Sequence, residues 1–600
     1  MDDFITLQSL IWPEPHIAAD QALYARLEGP QLQRNAVAFK TGAAASFDTY
    51  FNLFNIGKWQ HHCGLETLFL ALNGQGKFTL EVIFINSSQA KKTLLSHDVI
   101  LHDSSLTRLN IPISVSSPDQ GLLFFRLTAQ TSATLCSADW QTTQTPLRQP
   151  KLALAITTFQ RETAIERTVD RFEAHIKTSA YRDLIWLTVV DNGKTTDLKN
   201  TAQTHVIPSE NLGGSGGFTR GLIEARKTGA SHCLFMDDDA TIHMSSIERT
   251  YQMLAYAKSP KIAISGALAD ANDSGLIWEN AALFDGTCQG LHRGVDLRQA
   301  EQVTTMELET TFSLSKTTPQ NIYGGWWFFA FPLDQVEHLP FPFFVRGDDV
   351  SFSLVHDFTI ITLPGVLSFQ DSNFSDKENP LTLYLDLRSH LAHQLSLPLM
   401  DHGRFAVAKI AIWFTLRAVI RCHYDSAAAL NLALKDVRRG PQFFADNADM
   451  VTRRHDIKAM TQVEKWVPFR GAPPPDKIRI RHKNPLHRLL MALTINGLLL
   501  PGFSLYGNQV TLNGTERKKL ASIWGAAQIT HLDETGENSY LVTHSKRRAF
   551  VETLKLLRHV GAMLLRYSRL KSDWQNGYNN LTKTDAFWVE KLKIDQNSKG

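Results

Sequence analysis

Three apolar runs, each ending in polar residues and separated by helical stretches, constrain the fold of this chain more than any other feature. "LALAI" (152–156) leads into "TTFQR", "LIWLTVV" (184–190) into "DNG", and "CLFM" (233–236) into "DDDA". Between them, "GFTRGLIEARKTG" places Phe218, Leu222 and Ala225 at the spacing of one helix face. Strands alternating with helices predict a parallel α/β sheet, whose ligands gather beyond the carboxyl ends of the strands. The three ends here carry Thr157, Thr158 and Arg161, then Asp191 and Asn192, then Asp237, Asp238 and Asp239. Three polar ends on one sheet edge point to one shared site.

The flanks read differently. At 600 residues the chain is too long for a single core, and its 43% hydrophobic content with 20% charge is that of an ordinary globular protein. Residues 1–150 favour an antiparallel β-sandwich: "KFTLEVIFIN" alternates Phe78, Leu80, Val82 and Phe84 with outward positions. "TQTPLRQPK" (143–151) reads as a linker, residues 151–400 as the α/β unit, and 401–600 as a helical, basic unit. "RFAVAKIAIWFTLRAVIRCHY" is apolar nearly all round, which predicts a helix packed on several sides. From 451 on, Lys and Arg are about twice as numerous as Asp and Glu, an asymmetry expected of a unit with a polyanionic partner. "LLMALTINGLLLPGF" (489–503) is too short to span a bilayer. With Arg479, Arg481, Lys483 and Arg488 before it, it fits either a membrane interface or a buried helix pair. No RNA-binding or zinc signature accompanies the basic residues, so a membrane surface is expected rather than nucleic acid. The five scattered cysteines and an acidic N-terminus without a basic-then-apolar order predict a cytoplasmic protein with reduced thiols.

Four motifs carry the chemistry. Two carboxylates spaced i, i+2 at a strand end, Asp237 and Asp239, suit a hard divalent cation such as Mg²⁺ or Mn²⁺; a solvated acidic turn is the alternative, and the apolar run before them counts against it. "NLGGSGGFTRG" (211–221) is a glycine-rich loop opening into a helix, able to bring amides to an anion. It fails as a dinucleotide fingerprint because Thr219 stands where the third glycine belongs, and it lacks a P-loop lysine. "YGGWWFFAFP" offers Trp326 and Trp327 either to a sugar face or to a core. "FFVRGDDVSFSLVH" presents Asp348 and Asp349 either as a general base in a cleft or as the acidic first turn of a helix, and both can hold at once.

In this order, "TTFQR", "VVDNG", "NLGGSGGFTRG", "FMDDDA", "GGWWFFAF", "RGDDVSFSL" and "LPGVLSFQD" resemble the inverting GT-A glycosyltransferases of family 2, above all the bacterial galactofuranosyltransferases. "DTYFNLFNIGKW" and "LCSADWQTT" resemble the segments framing the N-terminal domain of those enzymes. The likeness runs from about 45 to 400 and implies an α/β GT-A core with an N-terminal β-sandwich and a C-terminal helical domain. It implies that Thr157, Phe159, Arg161, Asp191 and Asn211, with the loop glycines Gly213 and Gly214, hold the UDP part of a UDP-sugar, and that Asp238 supports them. Asp237 and Asp239 would bind the metal, Trp326 and Trp327 would line the acceptor cleft, and Asp349, beside Asp348, would be the base.

Three positions depart from the family pattern. Ser351 replaces an acidic residue two places beyond the Asp pair, and Tyr384 with Arg388-Ser389 replaces a usual Arg-Asn. Phe369-Gln370 replaces Trp-His, whose histidine would be the third metal ligand; Asp371 next to it is the better oxygen donor. The resulting expectation is an inverting transfer of galactofuranose from UDP-galactofuranose to a growing, lipid-linked cell-surface polysaccharide. It would take place on the cytoplasmic face of the inner membrane, with self-association open. The alternatives are a family 2 transferase with another donor, such as a rhamnosyl nucleotide, and a glycan-binding scaffold whose catalytic site has decayed.

Overall fold

The computed structural model describes residues 4–594 apart from 15, 34, 114–120, 314–320, 371–377, 472–474, 482, 514–519 and 534. The α/β unit is built on a seven-stranded sheet in the order 204–208, 185–191, 152–158, 232–237, 329–332, 262–265, 359–361. The first four of these strands are parallel, Phe329–Pro332 runs antiparallel to both its neighbours, and Ile262–Ser265 pairs in parallel with Thr359–Ile361. Strand Leu152–Thr158 sits between the strands that follow it on either side, so the connections leave in opposite directions and open a crevice at its carboxyl end. Register brings Thr158 level with Asp191 and Thr157 level with Asp237. The three polar strand ends therefore share one edge.

Alternation along that strand divides two cores. Leu152, Leu154 and Ile156 face one apolar cluster and Ala153 and Ala155 the other. Each fully buried leucine contributes about 1.5–3 kcal/mol relative to exposure. The alanines are small for a reason: helix Gly213–Lys227 lies against them, and a Cβ on Gly221 would collide with that of Ala155.

Residues before the α/β unit form ten antiparallel strands, with Phe69–Asn86 taking part in both lobes of the sheet. Phe125 and Trp140 meet between the lobes with ring centroids 6.2 Å apart. This part is joined to the α/β unit by buried polar contacts. Lys58 and Glu307, 1% and 0% exposed, pair at 3.0 Å, and the Tyr24 hydroxyl lies 2.9 Å from His243 Nε2.

Beyond 400 the chain is not wholly helical as its sequence suggested. Helices Arg404–Ile420, Tyr424–Val437, Lys546–Leu565 and Tyr567–Thr582 are joined by a four-stranded sheet in the order 467–468, 538–543, 526–532, 508–512. These strands are short and few of their side chains reach the core, among them Ile529, Tyr540 and Val542, while both residues of strand 467–468 are exposed. A period read over so few residues is drowned by the helical pattern around it. Two helical expectations are also corrected. Helix Arg404–Ile420 leaves Phe405, Ile412 and Trp413 exposed, because its neighbours cover only one side. Segment 489–503 is no buried pair: helix Pro485–Leu493 buries only Met491 and exposes Leu486 (74%), Leu489 (57%) and Leu493 (68%). Among the described residues no helix is long and apolar enough to cross a membrane.

Candidate active site

The crevice at the sheet edge opens into a cavity of about 770 Å³. The aspartate triplet forms part of its lining. Strand His232–Asp237 ends on Asp237, whose side chain points inward, and the chain then turns, giving each aspartate a different task. Asp238 faces back into the protein, where Thr158 Oγ1 donates to it (2.8 Å) and Arg161 Nη1 pairs with it (3.0 Å). Arg161 also pairs with Asp239 Oδ2 at 2.6 Å, leaving Oδ1 turned the other way. There the amide of Gln370, at the end of strand Leu367–Gln370, lies 3.1 Å from Asp239 Oδ1 and 3.2 Å from Asp237 Oδ2. Burial, then the charges of Asp239 and Asp238, push the Asp237 carboxyl up to about 8. Such a cluster is short of positive charge. Among the described residues no third His, Cys, Asp or Glu joins Asp237 and Asp239, and Asp371 lies outside those residues.

The nucleotide-side residues are distributed around the same edge. Phe159 is exposed just past its strand, its ring open to solvent. Thr157 packs against the glycine helix, where a Cβ on Gly217 would collide with its hydroxyl. Asp191 is occupied: its two oxygens accept from the amides of Gly193, Lys194, Thr195 and Thr196 at 2.8–3.0 Å, which shapes the loop after its strand. Asn211 accepts from the Gly213 amide (3.2 Å), and Asn192 Nδ2 donates to Gly213 O (3.1 Å). Gly213 has φ +69°, and a Cβ there would strike Phe344 O, so only glycine lets the helix begin this close to the next element. Gly214 lines the cavity.

The start of helix Asp348–Val355, capped by Gly347 at φ +88°, also lines the cavity. Ser215 Oγ, from the glycine helix, donates to Asp348 Oδ2 (2.9 Å), a link the sequence did not announce. Asp349 Oδ1 accepts from the Val350 amide (2.8 Å). Burial raises both carboxyls, and the charge of Asp348 raises Asp349 further. Across the cavity stands Glu279, pushed up to about 8 by burial and by Asp349. Beside it the Arg293 guanidinium stacks on Trp278 at 4.4 Å. Sequence reasoning missed this group, because it sits on a three-residue strand, Ile277–Glu279, with no periodicity to read.

Trp326 and Trp327 both line the cavity, and both also serve the core. Trp326 packs edge-on to Phe218 (4.9 Å) and Phe235 (5.0 Å), whereas Trp327 Nε1 donates to Gly266 O (3.0 Å). Of the departing positions, Ser351 faces away and pairs with the Tyr578 hydroxyl at 2.7 Å, outside the cavity. Tyr384 is also turned away, donating to Asp436 (2.8 Å), and Arg388 is buried on Phe343 O, while Ser389 lines the cavity.

Comparison with known proteins bears on this arrangement. Residues 20–143 match the family model described as galactofuranosyltransferase 2 N-terminal. Over 434 residues, 68% of this chain and 67% of the relative, the chain is 24% identical to galactofuranosyltransferase GlfT2 of Mycobacterium tuberculosis. It is 24% identical to GlfT2 of Mycolicibacterium smegmatis over 440 residues, 68% of this chain and 66% of that protein.

This chain is similar to galactofuranosyltransferases.

These relatives support a glycosyltransferase, and the matched part spans about two thirds of each relative's length. Solved structures with partial likeness include the mannosyltransferase PcManGT from Pyrobaculum calidifontis in complex with GDP-Man and Mn²⁺. It is 14% identical with TM-score 0.28, covering 53% of this chain and 84% of that one. Another is GalNAc-T7 with UDP, GalNAc and Mn²⁺, 13% identical with TM-score 0.31, covering 44% and 51%.

Proposed function

We propose that the chain is an inverting GT-A-type transferase that moves galactofuranose from UDP-galactofuranose to a growing, lipid-linked cell-surface polysaccharide. One observation carries the reading: a single cavity is lined by Asp237 and Asp239, by Asp348 and Asp349, and by Trp326 and Trp327. In this reading the β-rich residues 1–150, the α/β residues 151–400 and the residues from 401 on are three units of one enzyme.

The donor's diphosphate would lie by Arg161 and the start of helix Gly213–Lys227, where the guanidinium charge and the positive end of the helix dipole favour an anion. Phe159 would lie beside the base, with Asp191 holding the neighbouring loop in shape. The acceptor hydroxyl would approach over the tryptophans. Asp349 takes its proton as the new oxygen–carbon bond forms and the bond from the anomeric carbon to UDP breaks. A raised carboxyl suits this task, since the better base holds its proton near neutral pH. Asp237, Asp239 and the Gln370 amide form a donor set that fits a hard divalent cation, Mg²⁺ or Mn²⁺. Bound there, the cation would neutralise charge on the departing diphosphate.

The exposed leucines of helix Pro485–Leu493, beside Arg479, Arg481, Lys483 and Arg488, support seating on the anionic cytoplasmic face of the inner membrane. The test of the whole reading is a donor panel with a galactose-terminated acceptor. UDP release is expected from UDP-galactofuranose in the presence of Mg²⁺ or Mn²⁺, and faster turnover of a rhamnosyl or hexopyranosyl donor would replace the assigned sugar.

A further inference from the structure

The third protein donor to the cation site is the open element of the proposed mechanism, and the packing around the aspartate pair restricts the choice. Asp238 is committed to Thr158 and Arg161. Arg161 takes Asp239 Oδ2, which fixes that carboxylate with Oδ1 facing the cavity. Among the described residues, the group that meets Asp239 Oδ1 and Asp237 Oδ2 together is the Gln370 amide, and it meets them at nearly equal distances. Its backbone is held in place. Gln370 is in register with Asp270 on the neighbouring strand, and the Ala271 amide donates to its carbonyl (3.0 Å). The side chain is 7% exposed, so its range of positions is narrow.

A primary amide has a donor end and an acceptor end of similar size. With two carboxylates and no cation, the N–H end faces the negative oxygens. Half a turn about the last side-chain bond exchanges the ends and sets Oε1 where Nε2 now lies, with no movement of the strand. Resting on the cation-assisted reading above, we infer that Gln370 is the third protein ligand and the metal-selecting residue of this site. Its flipped amide oxygen completes an all-oxygen set with Asp237 and Asp239. Three oxygens, one of them neutral, favour hard ions that keep part of their water shell. They give little advantage to Co²⁺ or Zn²⁺, which an imidazole nitrogen would favour.

The experiment is metal binding by the full-length protein with UDP, read from the free-Mn²⁺ electron paramagnetic resonance signal and from its displacement by Mg²⁺, Co²⁺ or Zn²⁺. Wild type is expected to take up one Mn²⁺ with UDP and to release it to Mg²⁺. Q370A should weaken Mn²⁺ uptake by roughly tenfold or more, as expected when a site loses a ligating contact. Q370H should shift the balance toward Co²⁺ and Zn²⁺ over Mg²⁺ by on the order of tenfold. Q370E, nearly isosteric, should tighten Mg²⁺, and it keeps the test open if the bulkier histidine disturbs folding. D371N should leave the ion balance unchanged. Wild-type selectivity in both Q370A and Q370H, or loss of binding in D371N alone, overturns the Gln370 assignment while leaving the aspartate site standing. No UDP-dependent Mn²⁺ uptake by wild type, or full uptake by D237N and D239N, overturns the cation site itself and this inference with it.

Discussion

Replacing Asp349 by Asn separates chemistry from architecture at this site. The two side chains have the same shape, and the Asn oxygen can still accept from the Val350 amide, which now bonds Asp349 Oδ1 at 2.8 Å. The start of helix Asp348–Val355 is therefore expected to survive. The lost function is proton acceptance, which in general acid–base catalysis is worth about 10²–10⁴ in rate. At about 1.36 kcal/mol per decade, the barrier rises by roughly 2.7–5.4 kcal/mol. Stability should move the other way. Burial and the Asp348 charge raise the Asp349 pKa, so the folded state holds that proton more tightly than the unfolded chain does. Its contribution is favourable at low pH and is lost as pH rises from the ordinary carboxylate range toward the raised value, at about 1.4 kcal/mol for each tenfold difference in proton affinity between the two states. Near neutral pH the neutral amide escapes that cost, so D349N should melt at or above the wild-type temperature. Initial rates of UDP release, measured beside thermal melts at several pH values, test both halves. Turnover by D349N within tenfold of wild type refutes the base assignment, and a large fall in melting temperature refutes the account of its burial.

Removing the neighbouring charge with D348N should lower the Asp349 pKa, so the acid limb of the kcat/KM profile moves to lower pH, and an unmoved limb would mean that the two carboxyls do not interact. Lys58 is expected to matter for stability alone: K58M leaves Glu307 buried with Asn55 as a remaining partner and should cost about 3–5 kcal/mol, with much of it recovered in K58M/E307Q. Denaturant unfolding of the two variants measures this, provided the transition that breaks up the β-rich part is followed by itself. On the membrane side, L489E/L493E should abolish co-sedimentation with anionic vesicles without lowering the melting temperature, since both positions are exposed, and wild-type binding should weaken with salt. Equal binding to neutral vesicles would remove the basic residues from that picture.

What the sequence determined by itself was whatever depends on local order along the chain. Apolar runs that end in polar residues predicted the strand ends at Thr158, Asp191 and Asp237, and the glycine loop predicted the start of helix Gly213–Lys227. Asp348 and Asp349 were legible both as a helix start and as candidate acids. These features persist because strand alternation, helix spacing and glycine's conformational range are set within a few residues. Tertiary structure alone decided how side chains far apart in the chain divide their partners. It turned Asp238 inward and left Asp239 facing Gln370, more than a hundred residues later, and it closed Asp191 on its own loop. It turned Ser351 toward Tyr578 in the C-terminal part and brought Glu279 opposite Asp349. It also exposed one side of helix Arg404–Ile420, whose sequence predicts packing on several sides. A side chain's type and spacing limit the chemistry it can do, but which partner it meets depends on burial and strand register, and those exist only once distant segments have packed together.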